Sequence, residues 1–149
     1  MDGGVAFASS MLVVAFTLDL YSKLKRGLMD SGRNVATDAD IIDSLTARVR
    51  QAGLSRILYG VTVYPGTCSY CENRSRVYLK LRKDDGSFYD SRTLLYVFVH
   101  ELAHVGARDD GGDYHGPSFV RAFKRLLAKF PELQETTTAP DDYTQNCAL

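Results

Sequence analysis

The chain has 149 residues, 45% of them hydrophobic and 24% charged, which is the make-up of one folded domain able to bury a core without covalent staples. Its net charge of zero offers no bulk attraction to a nucleic acid, and three cysteines are too few for a disulfide scaffold.

The N-terminus opens with an uncharged run, Val5 to Leu18, followed by Lys23, Lys25 and Arg26. The run reads as part of one helix from about Val5 to Met29, ended near Asp30-Ser31-Gly32. A full membrane span needs roughly 20 apolar residues, so this run is short, and Asp2 before it argues against a secretory signal. A buried helix and a membrane anchor are both open. If it inserts, the basic residues after it place the rest of the chain on the cytoplasmic side.

A second helix is expected from Thr37 or Asp38, with Ile41, Ile42, Leu45, Val49 and Ala52 at helical spacing and Gly53 as its stop. Arg56 to Tyr64 reads as a strand, because it is rich in β-branched and aromatic residues. Pro65-Gly66 then turns the chain, and Cys68 to Asn73 reads as a loop. Arg76 to Arg82 alternates: Val77, Leu79 and Leu81 point one way and Arg76, Tyr78, Lys80 and Arg82 the other, so one face of this strand is expected to be wet. Asp85-Gly86 is a hairpin signal. A third helix, capped by Asp90 or Ser91, runs from about Arg92 to Gly106 and is apolar nearly all round, which places it at the centre of the domain. Asp109 to Tyr114 is a glycine-bearing loop. Gly116-Pro117 opens a last helix with Phe119, Phe123, Leu126, Leu127 and Phe130 as its buried stripe and Pro131 at its end.

The string that carries chemistry is His100-Glu101-Leu102-Ala103-His104, in the most apolar helix. Residues four apart share a helix face, so both imidazoles can reach one metal ion, while Glu101 sits one residue on, within reach of a water there. This is the HExxH pattern of zinc peptidases, with Glu101 as general base and a protein or peptide as substrate. A third ligand is needed. The chain has three histidines, and the remaining one is His115. Asp109, Asp110 and Asp113 compete with it, but His115 opens a helix instead of occupying the loop tip. An HExxH string arises by chance in roughly one such chain in a few hundred, and here it uses two of the three histidines in an apolar helix where unpaired polar groups are costly.

Other features are weaker. Cys68-x-x-Cys71 is half of a zinc site, and Cys147 could add a ligand or a disulfide to it. The strand Val77 to Leu81 could accept an extended peptide along its edge. Tyr114, beside His115, is a candidate hydrogen-bond donor to an oxyanion, though a surface tyrosine explains it as well. Arg121, Lys124, Arg125 and Lys129 make the last helix basic, which is a slender basis for nucleic-acid binding.

The stretch VHELAHVGARDDGGDYHGPSF resembles the Spartan/SprT-like and WLM metallopeptidases, which share HExxH, a variable loop, and a third histidine that opens a helix with a following Phe. His100, Glu101, His104 and His115 match that pattern, as do Gly116, Pro117 and Phe119. The longer stretch SRVYLKLRKDDGSFYDSRTLLYVFVHELAH is more similar still to WLM-like proteins of large DNA viruses, which often begin with an apolar segment and end in a Pro-Asp-Tyr-Cys-like tail. The corresponding tail here is Ala139-Pro140-Asp141-Asp142-Tyr143, with Cys147 displaced. The resemblance spans roughly residues 55 to 147. It implies an α/β (α+β) minimal zincin, minigluzincin-like: a small mixed sheet packed on the HExxH helix, with Zn²⁺ as cofactor. It divides the chain into an apolar N-terminal helix and candidate anchor (1–34), a metallopeptidase-like domain (35–133) and a polar tail (134–149). It also implies a virion or membrane-associated setting, with capsid or membrane partners; without it the expectation is cytoplasmic. Cellular members act on DNA-bound protein adducts, but no DNA-binding domain is evident here. The competing expectation is a structural virion or membrane-associated protein that keeps the fold and cleaves nothing.

Overall fold

The computed structural model describes residues 36–133. The expected N-terminal helix, the polar tail and Cys147 lie outside them. Within them the chain forms three α-helices and a small three-stranded sheet, the mixed α+β architecture expected. None of these helices is long and apolar enough to cross a membrane.

Helix α1 spans Asp38–Gln51. It starts where Thr37 and Asp40 satisfy each other: the Thr37 hydroxyl accepts from the Asp40 backbone N–H at 3.2 Å, and the Asp40 carboxylate accepts from the Thr37 N–H at 2.8 Å. Leu45 and Val49 are its buried residues. Gly53, with φ +78°, follows its end as expected.

The next segment departs from expectation. Arg56 to Tyr64 is not one strand. Ser55–Leu58 forms a 3₁₀ turn, Gly60 takes φ +74°, and strand β1 spans Thr62–Gly66. Ile57 and Leu58 are half-buried and pack against the core from the turn, so their apolar character serves packing and not sheet pairing. Pro65-Gly66 does not turn the chain either. Both residues stay in β1, an edge strand, where a missing proline N–H costs no ladder bond. Within the expected loop Cys68 to Asn73, Tyr70–Glu72 forms strand β2. The hairpin that pairs β2 with β3 turns at Asn73 and Arg74, both at left-handed φ (50° and 54°), with the Ser75 N–H donating to the Glu72 carbonyl at 3.1 Å.

Strand β3 spans Arg76–Lys80. It lies between the other two, parallel to β1 and antiparallel to β2. Two expectations are corrected here. Its edges are both occupied, so no peptide can add along β3. Its second face is also less wet than the alternation suggests: Lys80 is only 7% exposed, and the Tyr78 ring stacks between those of Tyr64 and Tyr70 at centroid distances of 5.3 and 4.5 Å. The inner face is as expected, with Val77, Leu79 and Leu81 buried. The Asp85-Gly86 turn closes with Gly86 at φ +83° and an Arg82–Phe88 bridge.

Helix α2, Ser91–Gly106, runs through the core. Leu94, Leu95, Val97, Phe98, Val99, Leu102 and Ala103 are all buried, which is why the helix is apolar on nearly every side. Asp90 caps it: one carboxylate oxygen accepts from the Arg92 and Thr93 N–H groups at 3.0 and 2.9 Å, the other from the Thr93 hydroxyl at 2.7 Å. These bonds, the Thr93 hydroxyl first, hold the Asp90 carboxyl below the usual value. Asp90→Ala should therefore cost about 1 kcal/mol in urea unfolding at neutral pH. The cap's contribution is complete above the unfolded-state pKa and is lost as pH falls through the lowered folded-state value, so wild type and variant should converge in acid. Helix α3, Pro117–Leu127, packs on α2. It ends at the Ala128 cap and not at Pro131, which begins a 3₁₀ turn, Pro131–Leu133, that buries Leu133.

Candidate metal centre

Helix α2 sets His100 and His104 one turn apart on the side that faces α3, and the start of α3 returns His115 to them. The Nε2 atoms of His100 and His104 are 3.3 Å apart, and those of His100 and His115 are 3.2 Å apart. Each of the three rings offers a nitrogen within 4.8 Å of the other two. Nitrogens about 2.0–2.1 Å from a tetrahedral zinc stand about 3.3 Å from one another, so these two spacings have the size that a zinc ion held between the rings would require. Burial, reinforced by the neighbouring imidazoles, pushes His100 down to about 4; burial and then His115 do the same for His104. Both rings are therefore neutral near pH 7, the form that binds metal.

The loop that delivers His115 is held by its own aspartates. Asp109 accepts from the N–H groups of Gly111 and Gly112 at 3.0 and 3.1 Å, two residues at φ +75° and +92°. Asp113 accepts from the His115 N–H at 3.0 Å. Asp110 accepts from the Ser118 N–H at 2.6 Å and so caps α3, whose N-cap residue, Gly116, has no side chain to do it. The aspartates that competed with His115 for the third position are engaged instead in shaping the path of the backbone to it. A Cβ at Gly116 would lie 2.8 Å from the Asp110 carboxylate and 2.9 Å from its Cβ, so any other residue there requires Asp110 to move. Gly116→Ala should push Asp110 out of the cap and loosen His115, with an expected loss of about tenfold in zinc affinity by competition titration. Unchanged affinity would show that the cap does not set the ring.

Phe119 is the residue whose role the sequence did not disclose. Its ring centroid lies 4.9, 4.4 and 4.7 Å from those of His100, His104 and His115, so one buried side chain backs all three imidazoles. Phe123 extends this wall, stacked on Phe119 at 5.6 Å and edge-on to His100 at 5.3 Å, and Tyr96 meets Phe123 at 5.5 Å. The signal is the i, i+4 spacing of His115, Phe119 and Phe123; the two phenylalanines read simply as part of the core stripe with Leu126, Leu127 and Phe130.

Glu101 is 5% exposed, and burial pushes its carboxyl up to about 8. No hydrogen bond or ion pair to another described residue involves its side chain. A carboxyl so placed accepts a proton readily near neutrality, and a nearby cation favours its ionised form. Cys71 lies on the inner face of β2, opposite Val77 in register and packed on the core. Burial first, and the Glu101 charge second, push its thiol up to about 11, so it stays protonated and unreactive. Cys68 and Cys71 are half-buried thiols, not joined in a disulfide. They are absent from the histidine cluster, and among the described residues no second group of metal-binding side chains includes them. Tyr114 is 82% exposed beside His115.

Over 74 residues the chain is 30% identical to uncharacterized protein 136R of invertebrate iridescent virus 6. The match covers 48% of this chain and 40% of that protein, so the chain spans less than half of this relative. This is a relationship to a viral protein. No family model matches the chain. No solved structure matches it either.

Proposed function

We propose that the protein is a zinc metallopeptidase of the minimal zincin type, with His100, His104 and His115 as metal ligands and Glu101 as general base. The observation that carries this reading is the convergence of three imidazoles, each offering a ring nitrogen within 4.8 Å of the other two, beside a buried carboxyl that makes no hydrogen bond or ion pair to the described residues. The donor set fits zinc, since three histidines leave a fourth position for water or substrate. Zinc held there supplies Lewis-acid polarisation of a carbonyl and lowers the pKa of water toward neutrality.

The chain supplies the rest. Glu101 takes a proton from the attacking water as the new C–O bond forms, then returns it to the amine nitrogen as the C–N bond breaks. Phe119 and Phe123 exclude water behind the imidazoles and hold their planes. Tyr114 is the candidate donor to the carbonyl oxygen as it gains charge. Among the described residues β2 keeps an unpaired strand edge along which an extended substrate can lie, and Cys71 of that strand feels the Glu101 charge.

The test is turnover of a broad peptide panel by zinc-loaded full-length protein. Hydrolysis that stops with chelator and returns with zinc is expected. Bound zinc with no turnover of any peptide would favour the other reading, a non-catalytic protein that keeps the fold and the metal.

A further inference from the structure

A cleft of about 320 Å³ opens beside the sheet, lined in part by Gly66, Thr67, Lys80, Arg82, Lys83 and Asp38. None of its lining residues belongs to the histidine cluster. Its size is that of a small-ligand site. Three cations face it from one short stretch of chain. Asp38 answers Arg82 at 2.8 Å, and Asp84 answers Lys80 at 3.4 Å. Lys83 has no ion pair among the described residues, which leaves the cleft one positive charge in excess. Arg82 is further fixed by the Gly86 carbonyl at 2.8 Å and by stacking on Phe88 at 3.8 Å, so its guanidinium is held in place before any ligand arrives.

Aromatic rings lie next to one wall of the cleft, on the far side of Gly66. Tyr64, Tyr78 and Tyr70 occupy one row of the sheet register and stack across it. Gly66, which lines the cleft, touches that row: a Cβ there would sit 3.3 Å from the Tyr78 Cβ. Tyr64, at the β1 end of the row, is 40% exposed. An excess positive charge beside a tyrosine stack suits a ligand that joins an anionic group to a flat ring. We infer that this cleft binds a nucleoside monophosphate, with its phosphate at Lys80, Arg82 and Lys83 and its base against the tyrosine row.

The inference is independent of the metal centre and is tested on metal-free full-length protein at low salt. Calorimetric titrations with AMP, adenosine and inorganic phosphate separate the two halves of the ligand. AMP should bind about tenfold more tightly than phosphate or adenosine. At two exposed positions, Lys83→Ala should weaken AMP several-fold, and Tyr64→Ala should weaken it about tenfold, down to the level of phosphate. Arg121→Ala and Lys124→Ala, on the exposed face of α3, should leave AMP binding unchanged. The assignment is overturned by an absence of saturation at millimolar AMP, by AMP binding no tighter than phosphate, or by equal weakening in the α3 variants.

Discussion

Glu101→Gln should retain zinc and lose peptide hydrolysis by about 10²–10⁴-fold. The substitution preserves shape in a helix face that is 5% exposed, and it leaves His100, His104 and His115 untouched. What it removes is the group that accepts a proton from water and returns it to the leaving amine. Because the native carboxyl makes no hydrogen bond or ion pair to the described residues, its replacement breaks no structural contact, and unfolding by urea should be at least as difficult as for the wild type. Zinc content, thermal midpoint and single-turnover rate on one peptide should be measured together. A variant that binds zinc and cleaves at the wild-type rate would remove Glu101 from the chemistry.

Phe119→Ala should be the most damaging single change to the fold. It deletes a buried ring and leaves a cavity, a loss of about 3–5 kcal/mol, which is a large share of the stability of an ordinary domain. Phe119→Leu separates packing from positioning. It keeps much of the apolar volume but not the flat surface that meets three imidazoles at 4.4 to 4.9 Å. The Leu variant should fold with a loss below about 1.5 kcal/mol, yet bind zinc about tenfold more weakly. Denaturant unfolding and competitive zinc titration read the two effects separately. Wild-type zinc affinity in Phe119→Leu would show that the imidazoles need no ring behind them.

Local pattern carried the helices well. The nearly uniform apolar character of Leu94 to Ala103, the Asp90 cap and Pro117 at a helix start all have causes that act within a few residues, and the structure follows them. The spacing of His100 and His104 fixed which helix face they share. The strands were harder. Strand β2 was hidden because its hairpin turns at Asn73-Arg74, without the glycine that usually marks such a turn. Strand β1 was misplaced because Ile57 and Leu58 pack against the core from a turn, and an apolar run does not state whether it is buried by a sheet or by a helix. That β3 is central, with Tyr78 sandwiched by tyrosines from both neighbours, is a matter of strand order, which alternation along one strand cannot express. The same holds for Asp110: a carboxylate that caps a helix eight residues later leaves no short-range signature.

The central claim is that three imidazoles hold one metal ion. X-ray absorption at the zinc edge, with metal content, on zinc-loaded wild type and His115→Ala tests it directly. One zinc per chain, with three nitrogen donors at about 2.0–2.1 Å in the wild type and two in a weakly binding variant, is the expected result. A wild-type chain that takes up no zinc, or a His115→Ala variant that binds it with the same affinity and the same nitrogen count, would contradict the account.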